Sequence, residues 1–413
     1  MNVFNIVYIL HRFPALTETF IAEEIRGIIN RGGRIKIYSL LPAKKEPVHP
    51  VSQELLPYVH SVPGFFSPSL WWAQSYYLFK SPSLYLLLLS TLLTQPKPYI
   101  SAVIKRLAIF LKAVWLVKEL KGSDTQLVHT HFAWLSAAAA MVVSQFLKLP
   151  FTITAHAYDI FSHKNDLLKL TTNKADRVIT ISDFNKQAIL KASNILDEHK
   201  IEVIHCGVDL NTFTYNKKCQ SNRILQITSI GRLEEKKGHE YLIRACLALN
   251  SRNIDFQCVI IGEGRLKETL QRLIQVQKLE DRVALVGAKD QDWVRERLNK
   301  SDIFVLACVI TKEGERDGIP VSIMEALATG TPVITTAVSG IPELIKHVET
   351  GLLVPERDSE AIADAVVYLM KNPILCQKLV NNGREIVERE YDIKKNVGRL
   401  GELFQLIIEE RMK

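Results

Sequence analysis

The chain has 413 residues, 47% of them hydrophobic and 23% charged, an ordinary globular composition with room for two or more domains. Six cysteines, at 206, 219, 246, 258, 308 and 376, include no CxxC pair, which argues against a disulfide framework or a zinc site and for a reducing cytosol. The net charge is +8, and all of it comes from residues 1–208, where 22 Lys/Arg meet 14 Asp/Glu; residues 209–413 carry 30 of each. A basic half can mean nucleic acid, anionic lipid or a phosphorylated substrate.

The chain opens with MNVFNIVYIL, a short apolar run with no basic segment before it, which reads as a first strand and not as a signal peptide. Residues 19–32 have helical periodicity, and RIKIYSL (34–40) reads as a second strand. Residues 61–122 hold seven cations against one acid, Glu119, among Trp71, Trp72, Tyr76, Tyr77 and Phe79. The apolar run 84–93 is about half of the ~20 residues a spanning helix needs. Two readings stand: an interfacial contact with an anionic bilayer, or a core helix with aromatic packing.

Strands follow near 125–131, 150–156, 175–182 and 201–207, then again near 222–230, 256–262, 282–287, 302–308, 331–336 and 351–356. Continuous Val/Ile/Leu runs joined by helical crossovers imply parallel sheets, here two Rossmann-like α/β domains. The boundary is expected near 208–218, with domains at 1–208 and 209–391 and residues 392–413 returning to the first. Ligands of such sheets sit at the carboxyl ends of the strands, so residues just after strands matter most.

Several stand there. His129 and His131 are spaced HxH without an evident third metal ligand, and a structural or substrate-wall role is expected. His156 follows its strand directly; Asp159, three residues on, would orient it or meet a sugar hydroxyl. Gly231-Arg232-Leu-Glu-Glu-Lys-Lys237-Gly238 lies between a strand and a helix. Free N–H groups and the positive helix end favour a phosphate there, with Arg232 and Lys237 as its cations, unless this is a solvated loop whose Glu234 and Glu235 pair with the lysines. Gly262 and Gly264 form a lone GxG, either a tight turn or a close approach to a nucleotide. Asp290-Gln-Asp292 reads as a helix cap at Asp292 and not as a metal site. In RDGIPVSIMEALATGTPV (316–333), Pro320 would open a helix that Gly330 stops. That helix is apolar except for Glu325, and Asp317 stands eight positions before it on the loop. A buried carboxylate without partners costs several kcal/mol.

Taken with VIHCGVDLNTF (203–213), SIGRLEEKKGHEYLIRA (229–245), VIIGEGRLKETL (259–270), SGIPELI (339–345) and ETGLLVPERD (349–358), this stretch resembles the retaining, nucleotide-sugar-dependent glycosyltransferases of the GT-B fold, family 4 type. Phe13–Ile21 is similar to the FPxLTETFI start of bacterial exopolysaccharide and colanic-acid enzymes. The resemblance implies two Rossmann-like domains facing across a cleft and a final helix crossing back at Tyr391-Asp392. It implies that Glu325 holds the donor ribose and Asp317 contacts the donor sugar. Arg232 and Lys237 would bind the diphosphate, Gly262 and Gly264 would line the donor site, and His156 would lie by the transferred sugar. It further implies transfer of a hexose from a UDP-sugar, or next a GDP-sugar, without metal or cofactor and with retention. Acceptors of the family type are saccharides or polyprenyl diphosphate oligosaccharides, and the enzyme would work at the inner face of the cytoplasmic membrane. The chain departs from the pattern twice: Asp317 stands where glutamate is commoner, and His11-Arg12-Phe13-Pro14 replaces a Gly-Gly pair. A sugar-nucleotide epimerase or a non-catalytic nucleotide-sugar-binding protein would share the scaffold. No zinc finger, helix-turn-helix or RNP-like pattern points to nucleic acid.

Overall fold

The computed structural model describes residues 4–15, 18–43, 50–96, 99–162, 164–216 and 224–412. Leu16 and Thr17 of the N-terminal motif, Lys97, Cys219 and residues 217–218 of the expected boundary lie outside them. The chain divides into two compact units, residues 1–204 with 397–413, and residues 205–396.

The first unit is a seven-stranded parallel sheet: β1 (Asn5–Arg12), β2 (Arg34–Leu41), β3 (Val59–Ser61), β4 (Leu127–His131), β5 (Phe151–Ala155), β6 (Arg177–Thr180) and β7 (Ile201–Val203), in the order β3-β2-β1-β4-β5-β6-β7. The β4 and β5 strands are buried along their whole length, as their unbroken apolar and Thr/His composition requires. The helix Thr19–Asn30 buries Ile21, Ile25 and Ile28, one stripe at helical spacing. The helix Leu135–Leu147 lies under the sheet on Ala137 to Ala140, small residues that permit close approach.

The second unit is a six-stranded parallel sheet: β8 (Leu225–Ile230), β9 (Phe256–Ile261), β10 (Val283–Leu285), β11 (Ile303–Leu306), β12 (Val333–Thr336) and β13 (Leu352–Val354), in the order β10-β9-β8-β11-β12-β13. Strand order reverses between β1 and β4 in one sheet and between β8 and β11 in the other. Those reversals are the points where parallel sheets open a crevice for ligands.

The last helix, Ile393–Met412, begins in the second unit and ends in the first. Its start is tied down by Val208 N donating to the Tyr391 carbonyl at 2.9 Å and by Tyr391 stacked on His205. Its far end buries Phe404 against His129, ring centroids 4.9 Å apart.

The segment 61–122 forms three helices, Pro68–Lys80, Pro82–Leu93 and Ile100–Leu120. Both sequence readings describe part of it. Leu70, Ala73, Tyr77, Tyr85, Leu88 and Leu92 belong to the core, while Trp71, Trp72, Phe79, Leu86 and Leu87 are more than half exposed. Two of its seven cations are not on the surface. Arg106 is 1% exposed, ion-paired with Asp166 and donating to the Gln95 and Pro96 carbonyls at 3.1 and 3.0 Å; Lys112 is buried and donates to the Leu40 carbonyl. Among the described residues no helix is long and apolar enough to cross a membrane.

A buried charge that loses its partner is strongly destabilising. Asp166→Asn should therefore cost about 3–5 kcal/mol in chemical denaturation, and a loss under about 1 kcal/mol would show that the carbonyls alone hold Arg106.

Candidate active site

The strand-end loops of the second sheet build the site. After β8 the chain runs through Gly231 to Gly238 and into the helix His239–Ser251. After β9 it runs through Gly262 to Gly264. The two loops are zipped together: Gly231 N donates to the Ile261 carbonyl at 3.0 Å, Leu233 N to Glu263 at 2.9 Å and Leu266 N to Leu233 at 3.0 Å. A Cβ on Gly262 would stand 2.0 Å from the Gly231 oxygen, and one on Gly264 2.5 Å from the Leu233 oxygen. These two glycines are therefore required by the neighbouring loop's backbone, which answers for them without a nucleotide. Gly238 has φ +65° and would meet the Ala307 oxygen at 1.7 Å.

That packing brings the lysines against Asp317. Lys237 Nζ lies 2.7 Å from one carboxylate oxygen and Lys236 Nζ 3.2 Å from the other. Burial would raise the Asp317 carboxyl, but the charges of Lys237 and Lys236 outweigh it and hold the group at about 2. Burial opposes the Lys237 charge too, yet Asp317 keeps that ammonium above its ordinary value. Cys308 Sγ is 3.9 Å from Asp317; burial and that carboxylate push the thiol up to about 12. Lys236, not singled out by sequence, is thus a member of the cluster. Glu234 pairs at 3.1 Å with Arg232, not with a lysine as the sequence suggested, and that guanidinium is 46% exposed. His239 is buried between Ser229 Oγ and the Gly231 carbonyl, and burial lowers its imidazole to about 4.

The helix Val321–Thr329 carries Glu325. Pro320 is its extended N-cap (ψ 129°) and not its first helical residue, and Gly330 closes it at φ +81°. Ser322 Oγ donates to the Ile230 carbonyl at 3.0 Å, so this face of the helix looks at the end of β8. Glu325, three residues on, shares that face. Among the described residues its carboxylate has no hydrogen bond or ion pair, and burial raises its pKa to about 7. The corresponding DxD reading shifts by one acid: Asp290, not Asp292, caps the helix Gln291–Lys300, accepting from Trp293 N at 2.8 Å.

In the first unit the residues after β4 and β5 form a buried polar chain. Tyr8 Oη donates to Glu24 at 3.0 Å; His131 Nε2 meets the same carboxylate oxygen at 3.0 Å, and His131 Nδ1 meets His156 Nε2 at 3.1 Å. Where His131 donates from Nε2 to Glu24 and accepts at Nδ1, the proton between the two imidazoles sits on His156 Nε2. Burial first, then the neighbouring His131, holds His156 well below the usual histidine value. Asp159 does not touch the imidazole. Its two oxygens accept from the backbone N–H of His156 (2.8 Å) and of Ala133 (2.6 Å), and burial raises it to about 7. Glu24 supplies the third ligand atom that the HxH pair lacked in sequence: Glu24, His129 and His131 bring one each within 4.8 Å. Those atoms already serve one another and Thr154 as hydrogen-bond partners.

An unfolded glutamate ionises near 4.5, whereas folded Glu325 does so near 7. Its charge therefore opposes folding above pH 4.5, increasingly up to about pH 7. Glu325→Gln should stabilise the ligand-free chain by about 1–2 kcal/mol at pH 8 and leave it unchanged at pH 4, measured by thermal denaturation. Equal effects at both pH values would mean that the carboxylate has a partner.

Known proteins share this architecture. Residues 216–386 match the glycosyl transferases group 1 family, and residues 90–212 match glycosyltransferase family 4. The chain is 26% identical, over 98% of its length and 100% of the other, to WcaL of Salmonella typhimurium, named a colanic acid biosynthesis glycosyltransferase. It is 36% identical over 206 residues, 50% of this chain and 51% of the other, to AmsK of Erwinia amylovora, named for amylovoran biosynthesis. An Escherichia coli enzyme named UDP-Gal:alpha-D-GlcNAc-diphosphoundecaprenol alpha-1,3-galactosyltransferase is 28% identical over 68% of this chain and 76% of its own. Among solved structures, a glycosyltransferase from Rickettsia africae superposes with a TM-score of 0.74 at 19% identity, over 99% of each chain. HepE of Anabaena, crystallised with UDP and glucose, gives 0.70 at 15% identity over 97% of this chain and 99% of its own. The chain is therefore a glycosyltransferase with a family 4-like domain over residues 90–212 and a group 1 domain over residues 216–386, on two Rossmann-like units whose structural neighbours are GT-B glycosyltransferases.

Proposed function

We propose that this glycosyltransferase takes a hexose from a nucleotide diphosphate sugar, UDP favoured and GDP next, with retention of configuration and without a metal ion. The observation that carries the reading is Glu325: a half-buried carboxylate, unpartnered among the described residues, on a helix face directed at the end of β8. Ribose hydroxyls are the partners such a group lacks, since a carboxylate accepts two donors at once. Beside it, the helix His239–Ser251 opens behind Arg232, Lys236 and Lys237, an arrangement that favours the growing charge of a leaving diphosphate. Arg232, exposed and held among the described residues by Glu234 alone, can swing to that charge; Lys237 is pre-placed by Asp317. Asp317, already engaged by two lysines, serves first as the group that fixes them. HepE was crystallised with UDP, which supports uridine.

The acceptor side is read from the first unit and from relatives. The names of the Salmonella, Erwinia and Escherichia coli enzymes support a cell-surface polysaccharide product, built on a saccharide or a polyprenyl-diphosphate-linked oligosaccharide. Exposed Trp71, Trp72 and Phe79 beside Lys80, Lys118 and Lys121 suit a peripheral contact with an anionic bilayer; Lys118 Nζ stands 3.9 Å above the Trp72 ring.

Thermal shift against UDP-, GDP- and ADP-sugars, with and without EDTA, tests the donor. One nucleotide at about 100 times its dissociation constant should add about 2.7 kcal/mol, unchanged by EDTA. Stabilisation that EDTA abolishes would refute metal independence, and no shift with any nucleotide would refute the donor reading. Arg232→Ala should lower the transfer rate about 10²–10³-fold, and a loss under about threefold with folding intact would remove its role. For the membrane contact, the chain should sediment with phosphatidylglycerol vesicles at low salt and be released by the double change Trp71→Ser, Phe79→Ser; no sedimentation would end that reading.

A further inference from the structure

The first unit contains a cavity of about 480 Å³ that the reaction proposed above does not yet use. Its wall is largely apolar, with Phe65, Ile109, Phe132, Trp134, Leu135 and Tyr158. Two ammonium groups stand in that apolar wall, Lys105 and Lys112, and His11 at the end of β1 completes it. Lys112 is buried, donates to the Leu40 carbonyl and lies 5.6 Å from the Phe65 ring centroid, so its charge is fixed in place. Burial, followed by the charges of Arg12, Lys112 and Lys105, lowers the His11 imidazole; of these three cations, Lys105 and Lys112 line the cavity. Glu18 is the one acid among the described lining residues. A second hollow of about 520 Å³ shares Lys105, Trp134 and Leu135 with the first and continues past Tyr99 and Ala102. Along the same helix, Ile100, Ile104 and Leu107 are exposed apolar residues at i, i+4 and i+7.

Apolar walls around gathered cations call for a ligand that is itself divided: a compact, multiply charged anion joined to a hydrocarbon chain. A free phosphate would leave the aromatic wall without a partner, and a neutral lipid would leave the ammonium groups without one. We infer that this double hollow is the binding site for the head of a lipid-linked diphosphate, its phosphates against Lys105 and Lys112 and its first chain units along Trp134, Leu135 and the Ile104 face. The inference rests on the reading that the acceptor is lipid-linked and names the residues that would hold it.

Farnesyl diphosphate is a water-soluble probe of that chemistry. Titration calorimetry on the full chain should show it binding at least tenfold more tightly than either inorganic pyrophosphate or farnesol. Lys105→Met removes an exposed charge and should weaken it about tenfold or more while farnesol is unaffected; Ala108→Trp, which fills the cavity, should abolish it. Circular dichroism confirms that both variants fold. The inference is overturned if farnesyl diphosphate binds no better than farnesol, or if Lys105→Met changes nothing. The nucleotide-sugar thermal shift, measured on the same samples, reports on the donor separately: its loss with intact farnesyl diphosphate binding counts against the donor reading and for this site.

Discussion

Everything at the strand-end site of the second unit depends on how closely two stretches of backbone approach each other. The loops after β8 and β9 exchange hydrogen bonds through Gly231, Leu233, Glu263 and Leu266, and Gly262 and Gly264 leave no room for a Cβ between them. Gly238 in turn presses on the end of β11 at Ala307. With the three strand ends held together, Lys236 and Lys237 project toward the loop that carries Asp317. Side-chain chemistry is here a consequence of main-chain contact, and a single added methyl would disturb it before it disturbed any charge.

The two acids that sequence places eight residues apart then acquire opposite electrostatic characters. Asp317 is neutralised by two ammonium groups, remains ionised down to about pH 2 and lends stability that fades only as pH falls from the ordinary aspartate range toward that value. Glu325 has only desolvation acting on it. One carboxylate organises the protein, and the other has no hydrogen bond or ion pair among the described residues. A similar division holds among the histidines. His131 is committed to Glu24 and His156 on its two nitrogens, while Asp159 is spent on main-chain donors.

The parallel sheets were legible because fully buried strands leave unbroken Val/Ile/Leu runs, and the Gly231–Gly238 and Asp317–Glu325 stretches were legible because glycine, proline and charge punctuate them. Partnerships between distant residues were not. Glu24 reaches His131 across more than a hundred positions, through the pairing of β1 with β4, and no local pattern in TFIAEEIRG marks that acid from Glu23. Lys236 looked interchangeable with Lys237, since adjacent positions differ only once the short 3₁₀ turn Glu235–Lys237 is built. The charge of segment 61–122 was overcounted as surface for the same reason: Arg106 is sequestered by Asp166, sixty residues later. The cap expected at Asp292 falls instead at Asp290, because the extended backbone ends there and Asp292 already lies in the first turn of the helix.

The helix Ile393–Met412 changes the order in which the molecule can be assembled. Residues 205–396 form one uninterrupted stretch of chain, whereas the first unit is made of residues 1–204 and 397–413. Emerging from the ribosome, the earlier unit must wait, with His129 lacking the Phe404 ring that covers it, until the whole of the later one has been synthesised. The usual amino-to-carboxyl order of domain completion is thereby inverted: the second unit can close while the first still lacks its last helix.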